Sequence, residues 1–587
     1  MKINNLNRFQ VNPVGLDINR SRIGRDYSNT TTFLTGDLVP IYVHECIPGE
    51  TLKLDFSSVV RSLTPAVPVM DNAFIDFYFF FVPNRLCTNA KDDWQKVCGE
   101  NTNGYWAPSS EADLANTSNT VNINSFTTQT INGVAYKVAP QSLGNYLGLP
   151  VLTTSRVVNG TSSVINTLAP RAYINIWNEW FRDENTQAPA SFNANYIGLN
   201  NGSSNCLVKK VNKYHDLFTS SMPSPQKGNS VLLPLGSVAP VITGVVHNKS
   251  NSSLILAGAN GASIFDSSYT GTGLTLGVGR TDTSQSSGYF SIVGDTESGT
   301  AEGGLATKNG YMPSTIINPA IPQNLYADLS SATAASVNEL RNAFAIQRML
   351  EKDARGGTRY FETLLSHFGV SNPDLVLQRP EYLAGKRVPL NITQVLQTSE
   401  TSNASPLGAT GAFSNTSSSD YMFTKSFGEY GFVMGLACVR TSQSYSQGLP
   451  KYMLRTRRFD FYWPAFANIG EQPILKKELY YANNNDSNNA VFGYQEAWAD
   501  YRYQANKISG YFAPDAGDTM LSAWTYTNKF NAYPTLNSDF MKQPESQFGD
   551  TLAVSSTPYH FLGNFYFEEK LTLPMPLYSI PGLIDHH

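Results

Sequence analysis

The residues whose types and spacing could do chemistry are cations set among aromatic rings. Lys451, Arg455, Arg457 and Arg458 alternate with or abut Tyr452, Phe459, Phe461, Tyr462 and Trp463. Cations neutralise phosphates and flat rings stack on unpaired bases, which is the pattern of a single-strand nucleic-acid surface. The same residues also suit a solvated strand beside a core strand. Arg20, Arg22 and Arg25 make a second basic group; with Lys2 and Arg8 they stand against Asp17 alone through position 25. A third group belongs to a helix expected from about Ala334 to Arg355. On a helical wheel Leu340, Ala343, Phe344, Ile346 and Leu350 share one arc, while Arg341, Arg348, Lys352 and Arg355 share a narrow neighbouring one. The first arc reads as core and the second as a basic ridge, for DNA or for an acidic face of a neighbouring subunit.

Other chemistries find less support. His44-Glu45-Cys46 resembles a metal triplet, but strand alternation sends Glu45 to the opposite face and no second Cys pair follows, so no metal site is expected. The chain has no HExxH, no GxSxG elbow and no P-loop. The glycine run GTGLTLGVG at 271–279 has no helix behind it to offer an N-terminus to phosphate. Glu179, between Trp177 and Trp180 and followed by Asp183 and Glu184, suggests a β-rich carbohydrate-active enzyme with two carboxylates and aromatic sugar platforms. On a helix, however, those Trp residues fall on the stripe Tyr173, Ile176, Trp177, Trp180 and Phe181, which reads as core. No cofactor is expected and catalysis has no positive support.

The elements that must position these groups are mostly β. Of 587 residues only 15% are charged while 12% are aromatic, and 44 Gly and 32 Pro mark many turns, so the chain is neither disordered nor helical overall. The net charge of −4 leaves any nucleic-acid role to local patches. Five widely spaced cysteines fit a reducing compartment, and no segment reads as a secretory signal or a membrane span. Residues 1–35 read as an extended basic arm. IYVHECI, the alternating Leu52, Leu54 and Phe56, and FIDFYFFFV read as core strands, the last buried on both faces. Residues 36–240 hold these strands and a helical insertion near 171–185. Over 251–310, 33 of 60 residues are Gly, Ser, Thr or Asn, so 241–318 reads as an inserted surface module of small hairpins. Residues 319–587 hold the helical pair, capped by Gly356-Gly357 and Gly369, and further strands in VPLNITQVLQTS, YGFVMGLACVR, KYMLRTRRFDFYW and FYFEEKLTL.

Long phrases spread in order over the chain carry a family resemblance. They are TTFLTGDLVPIYVHECIPGETL (31–52), PVMDNAFIDFYFFFVPNRL (68–86), SLGNYLGLP (142–150), RAYINIWNEWFRDENTQ (171–187), MPSPQKG (222–228), EKDARGGTRYFETLLSHFGVSNPD (351–374), LQRPEYLAG (377–385), TRRFDFYWP (456–464) and VFGYQEAWADYRYQ (491–504). In these the chain resembles the major capsid proteins of gokushovirus-type microviruses, small icosahedral single-stranded DNA bacteriophages. It departs from them at His44-Glu45-Cys46, where an acidic pair is usual, and at Ala384, where a second Gly is common.

The resemblance implies a mainly β fold, an eight-stranded antiparallel jelly-roll β-sandwich with large loop insertions containing a few helices. It implies self-assembly of about sixty copies into a T=1 icosahedral shell around circular single-stranded DNA. It further implies an internal scaffolding protein, a small basic DNA-packaging protein and a DNA pilot protein as partners, assembly in the host bacterial cytoplasm, and a threefold protrusion that meets a host-cell receptor. By position, 241–318 corresponds to that protrusion.

Overall fold

The computed structural model describes mainly residues 19–88, 119–156, 164–190, 208–229, 337–355, 360–369, 378–396, 410–517, 519–554 and 557–578, with short strands and single residues between them. Eight strands form its centre: β1 (Ser21–Phe33), β2 (Val39–Cys46), β3 (Thr51–Ser62), β4 (Ala73–Pro83), β5 (Glu381–Pro389), β6 (Thr416–Ser426), β7 (Gly431–Thr441) and β8 (Phe561–Leu573). They make two four-stranded antiparallel sheets with orders β1-β8-β3-β6 and β5-β4-β7-β2. The chain changes sheet at nearly every connection, and residues 84–380 and 442–560 are the two long excursions.

Alternation decides which face each strand buries. In β8 every second residue from Phe561 to Leu571 is buried, and β3 hides Leu52, Leu54 and Phe56 in the same way. These side chains meet Ile41, Ile75, Phe77, Phe79 and Val433 of the other sheet in one core. The Phe56 and Phe77 rings lie edge to face at 4.9 Å, an arrangement worth about 1 kcal/mol beyond burial alone. The opposite face of β4 is covered as well. Phe80 and Val82 pack with Met434, Leu436 and the helix α1 (Leu168–Ile176), through Leu168, Ala172, Tyr173 and Ile176. The aromatic run is therefore buried on both faces, as its sequence indicates.

Four expectations change. The arm gives way at Ser21 to β1, which pairs with β8 along its whole length; residues 1–18 lie outside the described residues. Thr-rich β1 looks solvated in sequence because it is an edge strand that exposes alternate residues. KYMLRTRRFDFYW is not a strand. Pro450 opens a short helix, Lys451–Leu454, Asp460 ties the backbone N–H groups of Thr456 and Arg457 into a turn, and Pro464 begins another turn. After α1 the helix widens to a π turn, Trp177–Phe181, with Arg182 N bonded to Trp177 O. That extra residue swings Trp180 off the buried stripe, to 37% exposure, while Trp177 stays at 7%.

The fourth change concerns α2 (Val337–Arg355), which leads to α3 (Tyr360–Phe368), ended by Gly369 at φ +67°. On the arc of α2 read as core, Phe344 and Ile346 are open to solvent while Leu340, Ala343 and Leu350 are half-buried; Leu365 and Phe368 on α3 are exposed as well. Gly356-Gly357 lies outside the described residues. The contacts divide the chain into one unit of residues 1–228 and 350–587 and a second of 229–349. In the second unit Val241–Thr243 pairs with Leu325–Ala327, Leu256–Ala257 with Ile321–Pro322, and Phe290–Ser291 with Ala306–Thr307. These antiparallel pairs are nested, and the outer two join segments far apart in the chain and reach beyond residue 318. Among the described residues, no helix is long and apolar enough to cross a membrane.

Candidate nucleic-acid interface

The segment after Pro450 carries rings outward rather than inward. Tyr452, Met453, Phe459, Phe461, Tyr462 and Trp463 are all exposed, and Tyr501, Tyr503 and Tyr511 are exposed in the segment that follows β7 farther along. Soluble monomers rarely leave so many large rings in water, and such a surface is built to be covered. Cations lie on the rings. The Arg458 guanidinium sits 5.2 Å from the Trp463 ring centre and 6.0 Å from that of Phe459, and Lys507 Nζ sits 5.5 Å from that of Tyr452. Trp463 Nε1 donates to Arg458 O at 3.1 Å, and the Tyr462 ring meets Trp498 edge-on at 5.5 Å, so the rings are held in place. Fixed rings beside cations can stack bases and neutralise phosphates with little loss of side-chain entropy.

Not every expected cation is available for this. Arg455 is 7% exposed in its side chain; it donates to Asp500 at 2.5 Å and to Asp460 O at 2.9 Å, and lies 4.4 Å over the Tyr501 ring. Arg455 thus braces the surface, leaving Lys451, Arg457 and Arg458 as its candidate DNA-facing cations. Two backbone N–H groups, from Arg457 and then Thr456, hold the Asp460 carboxyl below its ordinary range. The Tyr501-Arg502-Tyr503 alternation was the signal for the second aromatic segment.

The other basic groups are separated in the same way. Arg20 and Arg22 are exposed, Arg22 on the edge strand β1. Arg25 is instead bonded to the buried Glu569 at 2.5 Å and to His44 Nδ1 at 2.6 Å. On α2, Arg341, Arg348 and Lys352 are exposed, whereas Arg355 is paired with Glu471. Sequence spacing cannot show these carboxylates, since Glu569 and Glu471 lie far along the chain.

The enzyme reading finds no arrangement to carry it. A cavity of about 560 Å³ beside the π turn is lined by Trp180, Arg182, Asp183, Glu184, Tyr214, Glu362 and Arg387, among others, and Glu179 is not among its lining residues. Glu184 is paired with Arg182 at 3.0 Å, and Asp183 accepts from Thr186 Oγ1. The Trp180 ring has the Arg379 guanidinium 4.8 Å from its centre, with the Phe80 and Tyr382 rings packed against it at 5.5 and 5.8 Å, and so offers no open platform to a sugar.

One grouping was missed in sequence. The turn after β2 brings Glu50 against His44 and Cys46, with His44 Nε2 2.5 Å from Glu50 Oε1, and all three are buried. Glu45 points away and is exposed, as alternation requires. Only the close spacing of Glu50 to the strand could have suggested it.

A two-sheet sandwich with long excursions and broad aromatic, cationic and apolar surfaces defines a structural subunit made to be covered by other macromolecules. Comparison with known proteins gives that class a family. A family model described as "Capsid protein (F protein)" matches residues 13–583. The chain is 35% identical to the capsid protein VP1 of Bdellovibrio phage phiMH2K, over 96% of this chain and 95% of that protein. It is 33% identical to capsid protein VP1 of Chlamydia phage 1, covering 98% of each, and 34% identical to that of Spiroplasma virus 4, covering 97% and 96%. The chain belongs to this microvirus capsid family, among the gokushoviruses. It is a structural protein of a single-stranded DNA phage virion and not an enzyme.

Proposed function

We propose that the chain assembles, as about sixty copies in a T=1 icosahedral shell, around circular single-stranded DNA. The strand orders β1-β8-β3-β6 and β5-β4-β7-β2, with the chain changing sheet at every connection but that from β4 to β5, support reading the sandwich as a viral jelly roll. The observation that carries the DNA role is the exposed surface of Arg457 and Arg458 among Phe459, Phe461 and Trp463, with the half-buried Lys451 beside it. Arg20 and Arg22 are further candidates for the inner side. Arg341, Arg348 and Lys352 on α2 suit a subunit or DNA contact, and the scaffolding, packaging and pilot proteins are the proposed assembly partners.

Substituting Arg457 and Arg458 by Ala together tests the DNA role. Shells are expected to form in normal yield, with packaged DNA released at lower salt. For single-stranded DNA each lost phosphate contact lowers the slope of log affinity against log salt by about 0.7. Unchanged DNA content and salt resistance would remove this surface from the account. Neither side chain holds the fold together in the way Arg455 does, so the shell itself is the internal control.

The unit over 229–349 supports a second role, contact with a host-cell receptor, since its strand pairs form an excursion separate from the sandwich. Deleting 245–312 leaves the pair Val241–Thr243 and Leu325–Ala327 to close the excursion. Particles of the deletion are expected to form but to lose adsorption to host cells, measured as free particles after mixing. Normal adsorption would refute the receptor role.

A further inference from the structure

We propose that His44, Cys46 and Glu50 bind a divalent ion of the zinc class at one end of the sandwich. His44 and Cys46 are two apart on β2 and so share a face, and the turn that follows returns Glu50 to them. One donor atom from each lies within 4.8 Å of the others. The side chains are buried, with 6%, 0% and 1% exposure respectively. Thiolate, imidazole and carboxylate together suit zinc, whereas magnesium and calcium take oxygen donors.

The hydrogen bonds fix which imidazole nitrogen faces the cluster. A guanidinium can only donate, so Arg25 Nη2, 2.6 Å from His44 Nδ1, requires that nitrogen to accept. The imidazole N–H is then Nε2, which donates to Glu50 Oε1. The neighbouring Glu569 is paired with Arg25 at 2.5 Å, while Glu50 is paired with His44 at 2.5 Å.

Loading also has somewhere to put each group. The Cys46 proton leaves to solvent, and the His44 proton moves from Nε2 to Nδ1. His44 Nε2, Cys46 Sγ and Glu50 Oε1 become ligands, and one position remains for water. Arg25 Nη2 turns from His44 to Glu569, whose Oε1 is buried without a hydrogen-bond partner, so that the pair becomes bidentate. Glu50 keeps its orientation through Oε2, which accepts from Ile47 N at 3.1 Å.

The test uses untagged full-length protein prepared without chelator and supplied with zinc, then dialysed. Mass spectrometry is expected to find about one zinc per chain, and zinc-edge absorption to show one sulfur at about 2.3 Å with nitrogen and oxygen at about 2.0–2.1 Å. Cys46→Ser should lower zinc content at least about tenfold, while Cys87→Ser, at another buried thiol, should not. Zinc far below one per chain, zinc without a sulfur neighbour, or full retention in a folded Cys46→Ser protein would each overturn the proposal. Ions held by the His586-His587 pair would show no sulfur. Should Cys46→Ser fail to fold, the absorption spectrum of the unsubstituted protein still decides.

Discussion

Asp76→Ala is expected to destabilise the sandwich by about 4 kcal/mol, enough to leave little folded chain at 37 °C. Asp76 interrupts the aromatic run of β4 and is 2% exposed in its side chain. Its Oδ1 accepts from Arg387 Nε at 2.7 Å, and its Oδ2 from Arg440 Nε at 3.0 Å and Tyr214 Oη at 2.8 Å. Both guanidinium groups also lie 4.2 Å from the Tyr214 ring centre. Removing the carboxylate strands Arg440, which is only 12% exposed, without its counter-charge. Removing Arg387, which is half-exposed, should cost much less, about 1 kcal/mol. Urea midpoints for the two variants check the order, and equal small losses would refute the buried-hub account.

The same carboxylate predicts acid lability. Burial alone would raise the Asp76 carboxyl, but Arg440 and the hydrogen bonds from Arg387 and Tyr214 outweigh it and hold the group below its ordinary value of 3.8. A depressed carboxyl contributes stability that is complete above the unfolded value and is lost as pH falls through the folded one. Asp76→Asn should therefore show a flatter fall in stability below about pH 3.8 than the unsubstituted chain.

Asp76 also marks how far the sequence can be read. Nine apolar-rich residues, FIDFYFFFV, announce a strand buried on both faces because such burial abolishes alternation. The carboxylate inside that run is visible, but its partners at Arg387 and Arg440 lie across two other strands and are set by strand order. Arg25, Arg355 and Arg455 fail as free cations for the same reason: each carboxylate that holds them is placed by tertiary pairing. The segment after Pro450 misleads differently. Aromatic residues favour strands, yet two prolines and the Asp460 turn override that preference. The cluster of His44 with Glu50 depends on a turn, which alternation along β2 cannot describe.

Helix α2 poses a different problem, because an amphipathic pattern shows that a face will be covered without showing by what. Phe344 and Ile346 are 66% and 51% exposed in the single chain, although periodicity assigns their arc to a core. For a capsid subunit we propose another subunit as the cover, with the exposed Arg341, Arg348 and Lys352 beside that arc setting its register through charge. Replacing Phe344 and Ile346 by Asp together should leave the monomer's circular dichroism and urea midpoint nearly unchanged, since both side chains are exposed rather than packed in the chain's own core. Assembly should fail. Each apolar side chain contributes about 2 kcal/mol when buried, and a loss of about 4 kcal/mol per contact raises the concentration needed for association about a thousandfold. Sedimentation velocity with nuclease protection on the same fractions reads both effects. Normal particle yield would free this face from the shell contacts, while an unfolded monomer would restore it to the chain's own core.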